Sequence, residues 1–190
     1  FHGLASGVAI LILLALAAIA YKVGDMPLAL AALLVMAVVT GFWLLNYPMG
    51  KIFLGDGGAY FTGFAMAWLA VLLLVRNPRV SPWVCLLVFA YPVIEVLYSV
   101  ARRFLGKRSP GAPDGLHLDS LVKVKFIRKW LPRWSTNMQN AAVAPCIWFF
   151  AAIPAIFCLF FSDASPGMLC LFLGAFVVLY LWTYCFFVKR

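Results

Sequence analysis

Apolar residues run along this chain in six long blocks separated by short polar breaks. The blocks cover residues 4–21, 28–45, 57–75, 83–101, 141–161 and 167–188. Each holds roughly 18–22 residues, the length an α-helix needs to cross a hydrocarbon core about 30 Å thick. The breaks at Lys22 to Pro27, Asn46 to Asp56, Arg76 to Arg79 and Ser162 to Pro166 read as turns. Pro92 is expected to bend the fourth helix, because proline frees a backbone carbonyl one turn earlier. Residues 102–140 gather most of the basic residues and read as a long polar loop. No internal repeat or low-complexity segment divides the chain. The expected fold class is therefore all-α: a polytopic transmembrane bundle of about six helices, with residues 1–190 belonging to one integral membrane domain.

Composition strengthens this picture. Hydrophobic residues make up 66% of the chain and charged residues 11%, whereas an ordinary soluble domain carries about 25% charge. The basic residues are unevenly placed. With six alternating spans, twelve of the fifteen Lys and Arg fall on one side, in Lys51, the 102–140 loop and the C-terminus. Lys22, Arg76 and Arg79 fall on the other. That asymmetry predicts a cytoplasmic loop. The net charge of +9 is then a property of one face. Topology and attraction to anionic lipid headgroups account for it, and nothing points to nucleic acid. Cys85, Cys146, Cys158, Cys170 and Cys185 all lie in apolar runs without metal-ligand spacing, as inert membrane thiols would.

Three places carry candidate chemistry. The first is Ile52-Phe53-Leu54-Gly55-Asp56-Gly57-Gly58, which sets Asp56 among three glycines at the mouth of a membrane helix. Asp56 could cap that helix and answer its dipole. It could also hold a metal ion beside a phosphate, with Gly55, Gly57 and Gly58 letting backbone N–H groups approach the anion. The second is Glu95, an acid roughly 10 Å inside the fourth helix from its basic end. It is either functional or a structural acid that is protonated or paired with arginine. The third is the loop, where Asp114, His117 and Asp119 follow Arg102 and Arg103 within a few turns of sequence. Imidazole, carboxylates and arginines suit a phosphate-rich ligand, although a solvated histidine in a basic loop is also expected.

These stretches resemble a known family in order and spacing. Phe1-His2-Gly3-Leu4-Ala5 is similar to the tail of an Asn-x-x-Asn-x-x-Asp-Gly-x-(Asp/Asn)-Gly-Leu-Ala motif. Phe53-Leu54-Gly55-Asp56-Gly57-Gly58 matches Phe-(Leu/Met)-Gly-Asp-x-Gly. Pro92-Val93-Ile94-Glu95 followed by Arg102-Arg103 resembles a Pro-x-x-Asp helix ending in a basic pair. Ser109-Pro110 to Leu121 resembles a Ser-Pro-x-x-x-Asp-x-x-His-x-His-His-Leu loop. The chain thus resembles the C-terminal part of the polyprenyl-phosphate N-acetylhexosamine-1-phosphate transferases, glycosyltransferase family 4.

The resemblance implies a bacterial inner-membrane enzyme with its active face cytoplasmic. A UDP-N-acetylhexosamine would give its sugar-1-phosphate to a polyprenyl phosphate such as undecaprenyl phosphate, releasing UMP and starting a cell-envelope glycan such as O-antigen lipopolysaccharide. It implies Mg²⁺ held by Asp56, with His117, Arg102, Arg103, Asp114 and Asp119 at the diphosphate. It also implies departures. Asp119 and Ser120 stand where the family has histidines, His2 where it has Asp or Asn, and Glu95 where it has Asp. The family's earlier acidic motif does not occur in the chain, which starts without Met and without a signal-peptide pattern. The expectation is that an N-terminal part precedes Phe1 and that the 190 residues alone are inactive. Two other readings stay open: a degenerate relative that binds lipid phosphate as a scaffold, and a transporter with a basic loop.

Overall fold

The computed structural model describes residues 1–106 and 116–189. Every regular element among them is helical. The helices are α1 (Leu4–Lys22), α2 (Met26–Asn46), α3 (Gly55–Arg76), α4 (Pro82–Val88) and α5 (Ala90–Leu105). They continue with α6 (Leu118–Val122), a π-turn (Lys123–Ile127), α7 (Arg128–Trp130), α8 (Thr136–Phe161) and α9 (Pro166–Lys189). Five are long and apolar enough to cross a membrane, or six if α4 and α5, which are apolar enough together, count as one bent span. The chain is an all-α integral membrane bundle.

α1 is the spine. It is rich in Ala and Leu, packs between α2 and α8, and buries Leu13, Leu16, Ile19 and Ala20 almost completely. α3 and α9 lie further out and leave many apolar side chains uncovered, including Phe64, Trp68, Leu171 and Trp182. In hydrocarbon such faces cost nothing, since lipid tails are as apolar as leucine.

Polar side chains lock one end of the bundle. Asp25 caps α2 by accepting the Leu28 N–H at 3.2 Å. It also accepts two bonds from Arg76, at 2.8 and 2.9 Å, and one from Asn77 at 3.1 Å. The start of α2 is thereby tied to the end of α3. The Arg76 guanidinium holds the Asp25 carboxyl below its ordinary range. Nearby, Lys22 pairs with Asp163 at 2.6 Å and donates to Ser162 at 2.9 Å, which fastens α1 to the exit of α8.

Two expectations need correction. The block over 83–101 is not one helix bent at Pro92. The chain breaks at Phe89, and α4 and α5 meet at 73°. Pro92 sits in the first turn of α5, where a missing N–H costs no intrahelical bond. Nor are residues 102–140 a loop throughout. α5 runs on to Leu105, α8 starts at Thr136, and residues 118–130 form a nearly continuous helical arm. The arm folds because Leu118, Leu121, Val122 and Ile127 share one face and bury it against the bundle. Charges interrupt its apolar residues, but the spacing of Leu118, Leu121 and Val122 is helical.

Candidate functional site

The polar centre of the molecule is Glu95. It lies on α5 with its side chain 14% exposed, and three donors converge on its carboxylate. Tyr180 of α9, fully buried, donates its hydroxyl to Oε2 at 2.7 Å. The backbone N–H of Leu118 donates to Oε1 at 3.0 Å. Nδ1 of His117 lies 3.2 Å from the same oxygen, and Ser99 Oγ lies 3.1 Å from that nitrogen. Nδ1 faces the carboxylate and the hydroxyl, and among the described residues Nε2 has no hydrogen-bond partner. Glu95 is therefore paired with histidine and tyrosine through these bonds.

α9 also positions the chain leading into His117. Tyr184, one turn after Tyr180, donates its hydroxyl to the Leu116 carbonyl at 3.0 Å. Its ring lies 5.7 Å below the Arg102 guanidinium. Arg103 turns back and donates Nε to the Ser99 carbonyl at 3.2 Å. Asp119, in the first turn of α6, accepts the N–H and the hydroxyl of Ser120. Asp114 lies outside the described residues.

Glu95, His117 and Asp119 line one cavity of about 290 Å³ together with Pro92, Leu4 and Ala5. Three separated sequence stretches therefore meet at one place: the start of α1, the first turns of α5 and the start of the arm. The cavity is mainly apolar, with this acid–imidazole group set into its wall.

Asp56 is placed elsewhere. It is the second residue of α3, exposed, and caps nothing: α3 has no side-chain cap. Among the described residues it has no hydrogen-bond or ion-pair partner. Gly55 before it takes a φ of 65°, a conformation open to glycine at little cost. Gly57 faces open space, whereas a Cβ on Gly58 would meet the Leu54 side chain at 2.8 Å. Leu54 and Gly58 line a second cavity, an apolar groove of about 470 Å³ between α2 and α3 with Phe53 and Phe61 at its edge. Asp56 does not line the Glu95 cavity. Among the described residues no group of three His, Cys, Asp or Glu side chains is arranged to hold a metal. A lone, unpaired carboxylate at a helix N-terminus nevertheless fits Mg²⁺, which takes one or two protein oxygens and fills its shell with water and phosphate.

His2 is buried against Gly50, on whose ring-facing side no Cβ would fit, and its ring lies 6.4 Å from that of Phe53. Burial pushes its basicity down, and the Asn137 side chain partly offsets this. Asn46 completes the joint. Its side chain accepts the Gly3 N–H at 2.5 Å and donates to the Ile52 carbonyl at 2.6 Å. Trp148 of α8 donates its indole N–H to the Gly3 carbonyl at 3.1 Å. The start of α1 and the approach to Asp56 are thus one fixed unit. Sequence reasoning missed Asn46, Tyr180 and Tyr184 as organisers. Tyr180 and Tyr184 recur at i and i+4 on one helix face, a signal that was present but shared by many membrane aromatics.

Residues 1–74 match the family described as Glycosyl transferase family 4. The chain is 30% identical over 117 residues to a probable undecaprenyl-phosphate N-acetylglucosaminyl 1-phosphate transferase of Bacillus subtilis, covering 61% of this chain and 33% of that protein. It is 28% identical over 125 residues to an undecaprenyl-phosphate alpha-N-acetylglucosaminyl 1-phosphate transferase of Yersinia pestis, covering 63% and 34%. The protein of that name from Escherichia coli is 27% identical over 127 residues, again 63% and 34%. The matched region is about a third of the length of these relatives. No solved structure gives a significant match. Over residues 1–74 the chain is similar to glycosyl transferase family 4.

Proposed function

We propose that these residues are the C-terminal part of a membrane transferase that passes a sugar-1-phosphate from a UDP-N-acetylhexosamine to a polyprenyl phosphate. The observation that carries this reading is the cavity shared by Leu4, Ala5, Glu95 and His117, which gathers three of the stretches that resemble the family beside apolar helix ends. In the reaction an oxygen of the lipid phosphate bonds to the phosphorus carried by the sugar. The bond from that phosphorus to the bridging oxygen breaks, and UMP leaves. The names of the similar proteins support the acceptor and the sugar-phosphate.

Phosphoryl transfer needs alignment and charge neutralisation more than a reactive side chain. Mg²⁺, when bound, would neutralise the diphosphate, and Asp56 is the residue that would hold it. His117 would present Nε2 to a phosphate oxygen while Glu95 fixes its ring, and Arg102 and Arg103 would add positive charge at the same end. The apolar helix faces admit the polyprenyl chain from the bilayer, and the basic end is the cytoplasmic one.

The test is UMP release by the natural polypeptide that carries these residues, in proteoliposomes with undecaprenyl phosphate and UDP-N-acetylglucosamine. Asp56→Asn should lower the rate by roughly 10²–10³-fold, as loss of one electrostatic group commonly does. An unchanged rate would remove Asp56 from the mechanism. A second reading, a lipid-phosphate-binding scaffold, draws on Asp119, which is bonded to Ser120. If the double change Asp119→His and Ser120→His yields no gain in transfer, that reading is favoured.

A further inference from the structure

The arm formed by α6, the π-turn and α7 has a second face that the transfer reading does not use. One face is covered, with Leu118, Leu121, Val122 and Ile127 buried. Beside that face Val124, Phe126 and Trp130 stay exposed, and the rings of Phe126 and Trp130 lie 5.9 Å apart. Trp134 follows, also exposed. Interleaved with them are Lys125, Arg128, Lys129 and Arg133, the last three exposed. Residues 120–134 contain no Asp or Glu. A surface that alternates bare aromatics with cations alone suits neither free solution nor an apolar core.

The chain itself says where this face lies. One residue after Trp134, Ser135 caps α8 by accepting the Met138 N–H, and α8 crosses the membrane. The 26 residues of α8 span about 39 Å at 1.5 Å per residue, more than the core of about 30 Å. Its first turn, Thr136 to Gln139, is polar and belongs to the headgroup layer. Trp130 and Trp134 therefore lead directly into that layer, where tryptophan is favoured, and four cations lie in the same segment.

We propose that residues 123–134 are an interfacial anchor that docks on the anionic phospholipid headgroups of the leaflet at this end of the bundle. The aromatic rings enter the headgroup boundary and the cations pair with lipid phosphates. Because the arm begins beside His117, lipid binding also steadies the wall of the Glu95 cavity. The proposal does not depend on the transferase reading.

Hydrogen exchange tests it on the natural polypeptide in nanodiscs of phosphatidylcholine alone and of phosphatidylcholine with phosphatidylglycerol. Backbone amides of residues 123–134 should exchange about tenfold more slowly with phosphatidylglycerol present. The difference should vanish in the triple variant Arg128→Gln, Lys129→Gln, Arg133→Gln, while exchange in α1 stays as in the parent and reports an intact fold. High salt should shrink it as well. Equal exchange in the two nanodiscs overturns the proposal and leaves the face to a protein partner. So does a difference that persists in the triple variant.

Discussion

Glu95 shows how a single carboxylate can be decisive inside a membrane protein. It is satisfied by Tyr180, the Leu118 N–H and His117, so removing it strands a fully buried hydroxyl and a backbone N–H. Glu95→Ala should destabilise by about 2–4 kcal/mol, since each stranded buried group costs about 1–3 kcal/mol. Tyr180→Phe removes one donor of three and should cost about 1 kcal/mol. Thermal unfolding in detergent gives the order, and equal losses would show that the two side chains do not act through each other. Asp25 makes a different prediction. Its carboxyl is held low first by Arg76, then by its other hydrogen bonds. A group depressed in the folded state stabilises above its unfolded pKa, about 3.9, and that stability is lost as pH falls through the folded value. The melting temperature should therefore fall as pH drops below about 4. Asp25→Asn should flatten that part of the curve. A parent and variant with parallel curves there would show that the pair carries no pH-dependent stability.

At the scale of elements, close approach decides what sequence pattern cannot. α1 and α8 meet where Gly7 faces the Trp148 indole, with no room for a Cβ. Gly7→Ala must push Trp148 away from the Gly3 carbonyl. The expected cost is about 2 kcal/mol from overpacking, with loss of the fixed start of α1, read as faster exchange of the Gly7 region amides. A variant as stable as the parent would mean that α8 can shift freely. The six apolar blocks were legible because a membrane span needs about 20 uninterrupted apolar residues. The break at Phe89 was not, because proline in a first turn and proline at a kink look alike in sequence. The arm over 118–130 was hidden by its charges, although Leu118, Leu121 and Val122 already had helical spacing.

For the whole molecule, the motifs were legible one by one and their meeting only in part. Leu4, Ala5, Glu95 and His117 come together at one cavity. Asp56 instead stands at the head of α3 beside its own apolar groove. Nothing in the sequence could reveal that Asn46 binds the start of α1 to Ile52, because it is a lone polar residue at a helix end, where a turn already explains it. The natural polypeptide carrying these residues is proposed to transfer a sugar-1-phosphate to a polyprenyl phosphate. The most direct measurement supplies that polypeptide with undecaprenyl phosphate and labelled UDP-N-acetylglucosamine, and follows both products. Equal amounts of UMP and diphosphate-linked lipid sugar, both abolished by chelating Mg²⁺, are the predicted result. Lipid-phosphate binding without either product would contradict the claim and make the chain part of a binding protein.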